Sequence, residues 1–362
     1  MLGLLRIHSL HHYALDLART EHLLRNQLDF ACIARSHPDL DARQRSRVYA
    51  AGDCRIVVSE PVGKGGRAWR FLQKHPAGIG AVVLQVADID AARAFIEERG
   101  GTLIEEVQRS TGYATFSITT PLGDTTFRFV QVSADAPPFP NCQLLAHEPA
   151  NRFGFTGFDH VTCNLPTMAP ALLWMEHVLG FERYWKVDFH TAGSGLRSVV
   201  MWDPSSGVKF AFNEPARPAF RASQINVFAE EHRGPGVQHA ALTTTDIRAA
   251  VRGLQDRGVA FMSTPSSYYD MLPERLERIG VGGIDEPIDE LRELGVLVDG
   301  DRHRAYMLQV FLREASALHN DPEAGPFFFE LIERKGDRGF GAGNFQALYE
   351  SIARQQQAEG RI

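Results

Sequence analysis

The chain has 362 residues, of which 44% are hydrophobic and 23% charged, with a formal net charge of −6. That length can fill two or more ordinary domains, and the negative balance argues against nucleic acid or an anionic membrane as partner, since both call for basic patches. No apolar run reaches bilayer-spanning length, and the start is broken by Arg6, His8, His11 and His12, unlike a signal peptide. Cys32, Cys54, Cys142 and Cys163 are too scattered for a metal-type pair or a disulfide framework, so a reducing, cytoplasmic setting is expected.

In chain order, the first informative feature is an internal repeat. LHHYALDL at 10–17 reads like FDHVTCNL at 158–165. Each is followed by an expected helix and then by LDF at 28–30 or LGF at 179–181. Later in each half, GIGAVVL at 78–84 reads like GVQHAAL at 236–242. Each then enters a helix, expected over 91–99 and 249–257. Asp88 and Asp246 are the N-caps, and Gly100 and Gly258 close the C-termini. The chain therefore reads as four strand–helix–strands units in two tandem halves. The proline-rich stretch 134–152 separates them. The expected division is a domain over 1–140, a linker over 141–153 and a domain over 154–362.

In the second half, strands are expected over 197–202, 208–213, 306–312 and 327–334, which are short and rich in aromatic or β-branched residues. A helix over 345–357 closes the chain, with Phe345, Leu348 and Ile352 on one face.

Three residues of this half carry the chemistry. His160 shares a strand face with Phe158 and Thr162, and His239 with Val237 and Ala241. Glu330 lies among apolar neighbours in FFFELI at 327–332. An unpaired ionised carboxylate there would cost several kcal/mol, so it needs a cation or a strong partner. Each residue alone has an ordinary structural explanation: a hydrogen-bonded core histidine, or a glutamate paired with arginine. The repeat shifts the balance, because duplicated units bring corresponding strands around one cavity. Two histidines and one carboxylate suit iron(II) with open coordination positions. The first half offers no such set. His12 is aligned with His160 in this reading, but Ala81 stands opposite His239, and 126–130 holds no glutamate.

The second half resembles the 4-hydroxyphenylpyruvate dioxygenase family. The resemblance is carried by SQI at 223–225, GPGVQHAAL at 234–242, YYDML at 268–272, LVD at 297–299, LQVF at 308–311, FFELI at 328–332 and GFGAGNF at 339–345. It is dense over 158–357 and weak before 150. It implies an α+β, vicinal-oxygen-chelate (glyoxalase-like) fold of tandem βαβββ modules forming two open β-barrel halves, with the last helix as a gate. It implies Fe(2+) held by His160, His239 and Glu330. The implied substrates are an aromatic 2-oxo acid and O2, and the expected assembly is a homo-oligomer, dimer or tetramer. The reaction implied is oxidative decarboxylation, ring hydroxylation and side-chain migration to homogentisate, a step of tyrosine catabolism. Ser198, Asn213, Gln224, Gln309, Phe311, Phe340, Asn344 and Phe345 match positions that bind substrate in the family. Gln238, Gln309 and Asn213 match those nearest the chemistry.

Three competing readings remain. A 4-hydroxymandelate synthase shares fold, metal and substrate, but its positions matching Asn213 and Phe345 tend to be aliphatic. An extradiol ring-cleaving dioxygenase shares the fold, and a metal-free binding protein could be built on it. Glu333, Cys163 and the glycines of 339–343 are read as structural: the wrong strand face, a small buried residue, and a run without a phosphate-loop pattern.

Overall fold

The structure, a computed structural model, describes residues 1–37, 43–137, 139–140, 142–146, 150–190, 195–217, 220–221, 223–301, 304–341, 343–344 and 360. Two sheets dominate them. The first runs, in spatial order, Gln108–Ser110, Tyr113–Ile118, Thr126–Val132, Gly78–Val86, Leu4–Tyr13, Cys54–Pro61, Gln44–Ala51, Ala31–Ser36 and Cys142–Leu144. The second runs Glu182–His190, Gly195–Trp202, Lys209–Pro215, Phe155–Asn164, Gly236–Thr244, Phe328–Lys335, Ala305–Phe311 and Leu297–Asp301. Omitting the extra edge strand Cys142–Leu144, the two orders are the same topology, module for module. The expected tandem βαβββ architecture is therefore present. The stretch read as a linker does more than connect, since Cys142–Leu144 pairs with Ala31–Ser36.

Local chemistry explains the elements. Asp88 accepts from the amides of Asp90 and Ala91, and Asp246 from those of Arg248 and Ala249. These bonds satisfy orphan donors at the starts of helices Ile89–Glu98 and Ile247–Gln255. Gly100 and Gly258 follow with φ of +78° and +76°, a conformation that a Cβ disfavours. Glu333 accepts from the amide of Ile247, so it caps this second helix on the far face of its strand, away from the pocket.

One reading is corrected by the strand register. The central pair of the second sheet skips one residue between Phe158 and His160, and the first sheet skips one between Ile7 and Ser9. Leu10 pairs with Ile56 where Val161 pairs with Phe210. His160 therefore corresponds to Ser9, and His12 to Cys163. The HH and DH dipeptides look alike, but they are three residues out of phase. By the same register Ala81 does stand opposite His239, and Arg128 takes the place of Glu330. The bulge also sends Phe158 against the hydrophobic core, so His160 shares its face with Thr162 but not with Phe158.

Each curl has an aromatic cover. Phe139, from the connecting stretch, packs on Val48 and Val57. Phe340, near the C-terminus, packs on the corresponding Val200 and Ala211. Between the halves, Phe127 meets Phe210 at 5.1 Å and His75 stacks on His232 at 4.5 Å. A cavity of about 490 Å³ also lies there, walled by Phe327, Phe328, Ile56 and Ile79, with the buried imidazole of His12 at its wall. The helix expected over 345–357, with Phe345, lies outside the described residues. No helix among the described residues is long and apolar enough to cross a membrane.

Candidate metal centre

The three ligand candidates come from neighbouring strands. Thr162 pairs with His239, His160 with Ala241, and Ala241 with Glu330, so the register fixes all three around one point. All are buried, and one ligand atom from each lies within 4.8 Å of the others. Glu330 Oε2 stands 3.3 Å from Nε2 of both histidines.

The far nitrogens are held. His160 Nδ1 lies 2.9 Å from Asp159 Oδ1, and His239 Nδ1 lies 3.0 Å from Gln238 Oε1. Asp159 and Gln238 are the residues that two of the three register shifts in this strand pair leave unpaired. A bulge turns consecutive side chains toward one side of the sheet, which lets each contact the histidine beside it. With the Nδ1 atoms held by these acceptors, each Nε2 is free to turn a lone pair toward a cation, or a proton toward Glu330 where no cation is bound.

The electrostatics agree. Burial works to raise the pKa of Glu330, but the charge and hydrogen bonds of the histidines outweigh it and hold the pKa below the usual value. Burial works to lower the pKa of His160, yet Glu330 and Asp159 raise it. His239 is lowered, because burial prevails there. A buried anion facing two imidazoles is a donor set for a divalent cation.

Aromatic rings brace the site. Phe328 stacks on His239 at 5.0 Å, Phe311 meets it edge-on at 6.0 Å, and Phe340 lies 4.8 Å from His160. Gln309, Phe311, Thr162 and Ala211 line the small pocket in front of the triad. Phe340 also borders a cleft of about 750 Å³ reaching Trp185, Tyr268 and Arg275.

The sequence-predicted substrate residues fall into three groups. Gln309, Phe311 and Phe340 line the pocket. Ser198, Asn213 and Gln224 cluster two residues further along the strands and at the following helix, and all are buried. Gln238 is held behind His239, and the Asn344 side chain lies 2.7 Å from the Tyr268 hydroxyl. Sequence reasoning passed over Asn164, which accepts from Asn213 at 3.0 Å, and Arg334, which pairs with Asp159. The signal for Asn164 lay in its strand position, four residues after His160; Arg334 had none.

Four buried polar atoms in this region lack partners among the described residues: Asn164 Nδ2, Ser198 Oγ, Asn213 Oδ1 and Gln224 Oε1. Buried polar groups are seldom left so.

Fold and site together define a glyoxalase-like, vicinal-oxygen-chelate protein with a candidate metal centre. Residues 157–271 match the family model of the Glyoxalase/Bleomycin resistance protein/Dioxygenase superfamily. A 4-hydroxyphenylpyruvate dioxygenase from Caenorhabditis briggsae is 36% identical over 307 residues, covering 80% of this chain and 76% of that one. One from Dictyostelium discoideum is also 36% identical, covering 80% and 81%. A triply substituted 4-hydroxymandelate synthase from Streptomyces coelicolor superposes with a TM-score of 0.83 at 28% identity, over 98% of this chain and 99% of that one. The chain belongs to the 4-hydroxyphenylpyruvate dioxygenase family.

Proposed function

We propose that the chain converts 4-hydroxyphenylpyruvate and O2 to homogentisate and CO2, with iron(II) held by His160, His239 and Glu330. The observation that carries this reading is the unpartnered polar set. Asn164 and Asn213 stand two residues beyond Thr162 and Ala211, which line the metal pocket. Two residues of strand span about 7 Å. A ligand whose oxo acid faces the triad thus extends its ring and hydroxyl toward that set.

Iron(II), when bound, supplies the redox chemistry by which O2 reacts with a 2-oxo acid. The chain's own residues place the substrate. Asn213 gives its Nδ2 proton to Asn164, which leaves an acceptor on Asn213 and a donor on Asn164 side by side. A phenol, which both donates and accepts, complements that pair. Phe311 and Phe340 bound the ring's slot, and burial of the triad excludes water from the reacting end. A cytoplasmic location fits the four unpaired thiols, and a homo-oligomer is the expected assembly.

The likeness to a 4-hydroxymandelate synthase supports benzylic hydroxylation as a second reading. The two products have the same mass, so proton NMR of the aromatic region separates them. Three ring protons of unequal environment mean homogentisate, whereas a symmetric four-proton pattern with a new benzylic CH–OH signal overturns the first reading in favour of the second.

A further inference from the structure

Arg334 joins the metal-type pocket to the segment that covers it. Its Nε and Nη2 donate to the two carboxylate oxygens of Asp159 at 2.6 and 2.8 Å. Its Nη1 donates to the carbonyl oxygens of Asp337 at 3.2 Å and Gly339 at 2.8 Å. One guanidinium therefore spans from the acceptor beside His160 Nδ1 to the turn that presents Phe340. The ring of Phe340 in turn lies against His160 and 5.8 Å below the guanidinium carbon. Lys209 flanks the same carboxylate at 3.6 Å.

The first half of the molecule is an internal control. By register, His8 takes the place of Asp159, Ser9 that of His160, Arg55 that of Lys209 and Val132 that of Arg334. The same sheet thus folds without the fork wherever it carries no metal-type site. Arg334 belongs to what the second half does with the sheet, and the sheet itself does not need it.

We propose that Arg334 is a positioning residue that couples the orientation of His160 to the seating of the Phe340 cover. A planar fork with five fixed donors can hold a carboxylate and two carbonyls at once, which a single ammonium cannot. Lifting the turn removes two of its acceptors and loosens the hold on Asp159. Loss of the Asp159 charge frees the fork and loosens the turn. This inference rests on His160 being a metal ligand, but half of its test needs no metal.

The test uses the full chain carrying Asp159→Asn, Arg334→Met or Arg334→Lys. Backbone hydrogen exchange over 336–341 is measured on metal-free protein, and cobalt(II) affinity by visible absorption. In Asp159→Asn, exchange over 336–341 is expected to accelerate at least about threefold, with the Arg334 guanidinium as the link. Arg334→Met is expected to do the same, and both to weaken cobalt binding by about 10- to 100-fold. Arg334→Lys keeps a charge beside Asp159 but lacks the fork, so cobalt affinity returns to within about threefold while exchange stays fast. Unchanged exchange in Asp159→Asn, or parental cobalt affinity in Arg334→Met, overturns the coupling. Should Arg334→Met fail to fold, the other two variants decide the matter. A parent that binds no cobalt overturns the metal reading, while the exchange arm still judges the link.

Discussion

Replacing Glu330 with glutamine removes the one anionic ligand while changing almost no volume. The carboxylate is buried, with Oε2 3.3 Å from both imidazoles. Two unit charges about 4 Å apart at an effective dielectric near 20 attract by about 4 kcal/mol, and a dication doubles this. Dehydration of ion and carboxylate offsets much of that gain. A net loss of about 3–4 kcal/mol follows, or two to three powers of ten in iron(II) affinity. The metal-free protein behaves differently. The imidazoles hold the pKa of Glu330 below its usual value, so its charge stabilises the fold, and glutamine is expected to lower the thermal midpoint modestly. Anaerobic equilibrium dialysis with metal analysis measures the first effect, and circular dichroism the second. A folded Glu330→Gln protein that binds one iron per chain with parental affinity refutes the reasoning.

Asn213→Ile deprives the Asn164 oxygen of its donor and removes the acceptor on the substrate side. It should cost about 1–3 kcal/mol of stability and either shift product toward hydroxymandelate or abolish turnover, as NMR of the products would show; an unchanged homogentisate yield speaks against it. Gln238→Leu takes the partner from His239 Nδ1. Iron affinity should fall about 10- to 100-fold with the fold intact, and parental affinity by dialysis would contradict the tautomer argument. Burial holds the pKa of His12 at about 4, and burial with nearby His75 does the same for His232, against 6.5 for an ordinary imidazole. Above pH 6.5 both are neutral whether folded or unfolded. Between 6.5 and 4 the unfolded chain takes up protons that the folded one refuses, so stability falls as pH falls, by about 1.4 kcal/mol per unit for each group. Urea titrations at pH 7 and 5 should show this, and His12→Leu should flatten the dependence by one group's share; an unchanged slope would exclude His12 as a contributor.

The convergence of His160, His239 and Glu330 was legible because its signals are local. A glutamate inside an apolar strand and histidines on matching strands are anomalies that a single sequence displays. The phase of the repeat was not legible, since both halves carry the same register shifts and nothing in their composition marks the three-residue offset that strand pairing reveals. The similarity of HH to DH therefore drew His12 into alignment with His160, where pairing puts Ser9. Arg334 was hidden for another reason. Its partner Asp159 is 175 positions away, and only the sheet order, which lays Phe328–Lys335 and Phe155–Asn164 on either side of Gly236–Thr244, brings them together. The polar set around Asn213 was found in part. Ser198 and Gln224 were reached through family resemblance, whereas Asn164, marked in the sequence by its strand position alone, is singled out by its hydrogen bond across the strand pair.

Oxygen uptake by anaerobically reconstituted protein, titrated with iron(II) in the presence of 4-hydroxyphenylpyruvate, tests the central claim most directly. Activity is expected to rise linearly to one iron per chain, with each O2 consumed yielding one CO2 and one homogentisate. Activity that persists without iron, saturates at another stoichiometry, or survives the combined loss of His160, His239 and Glu330 would contradict it.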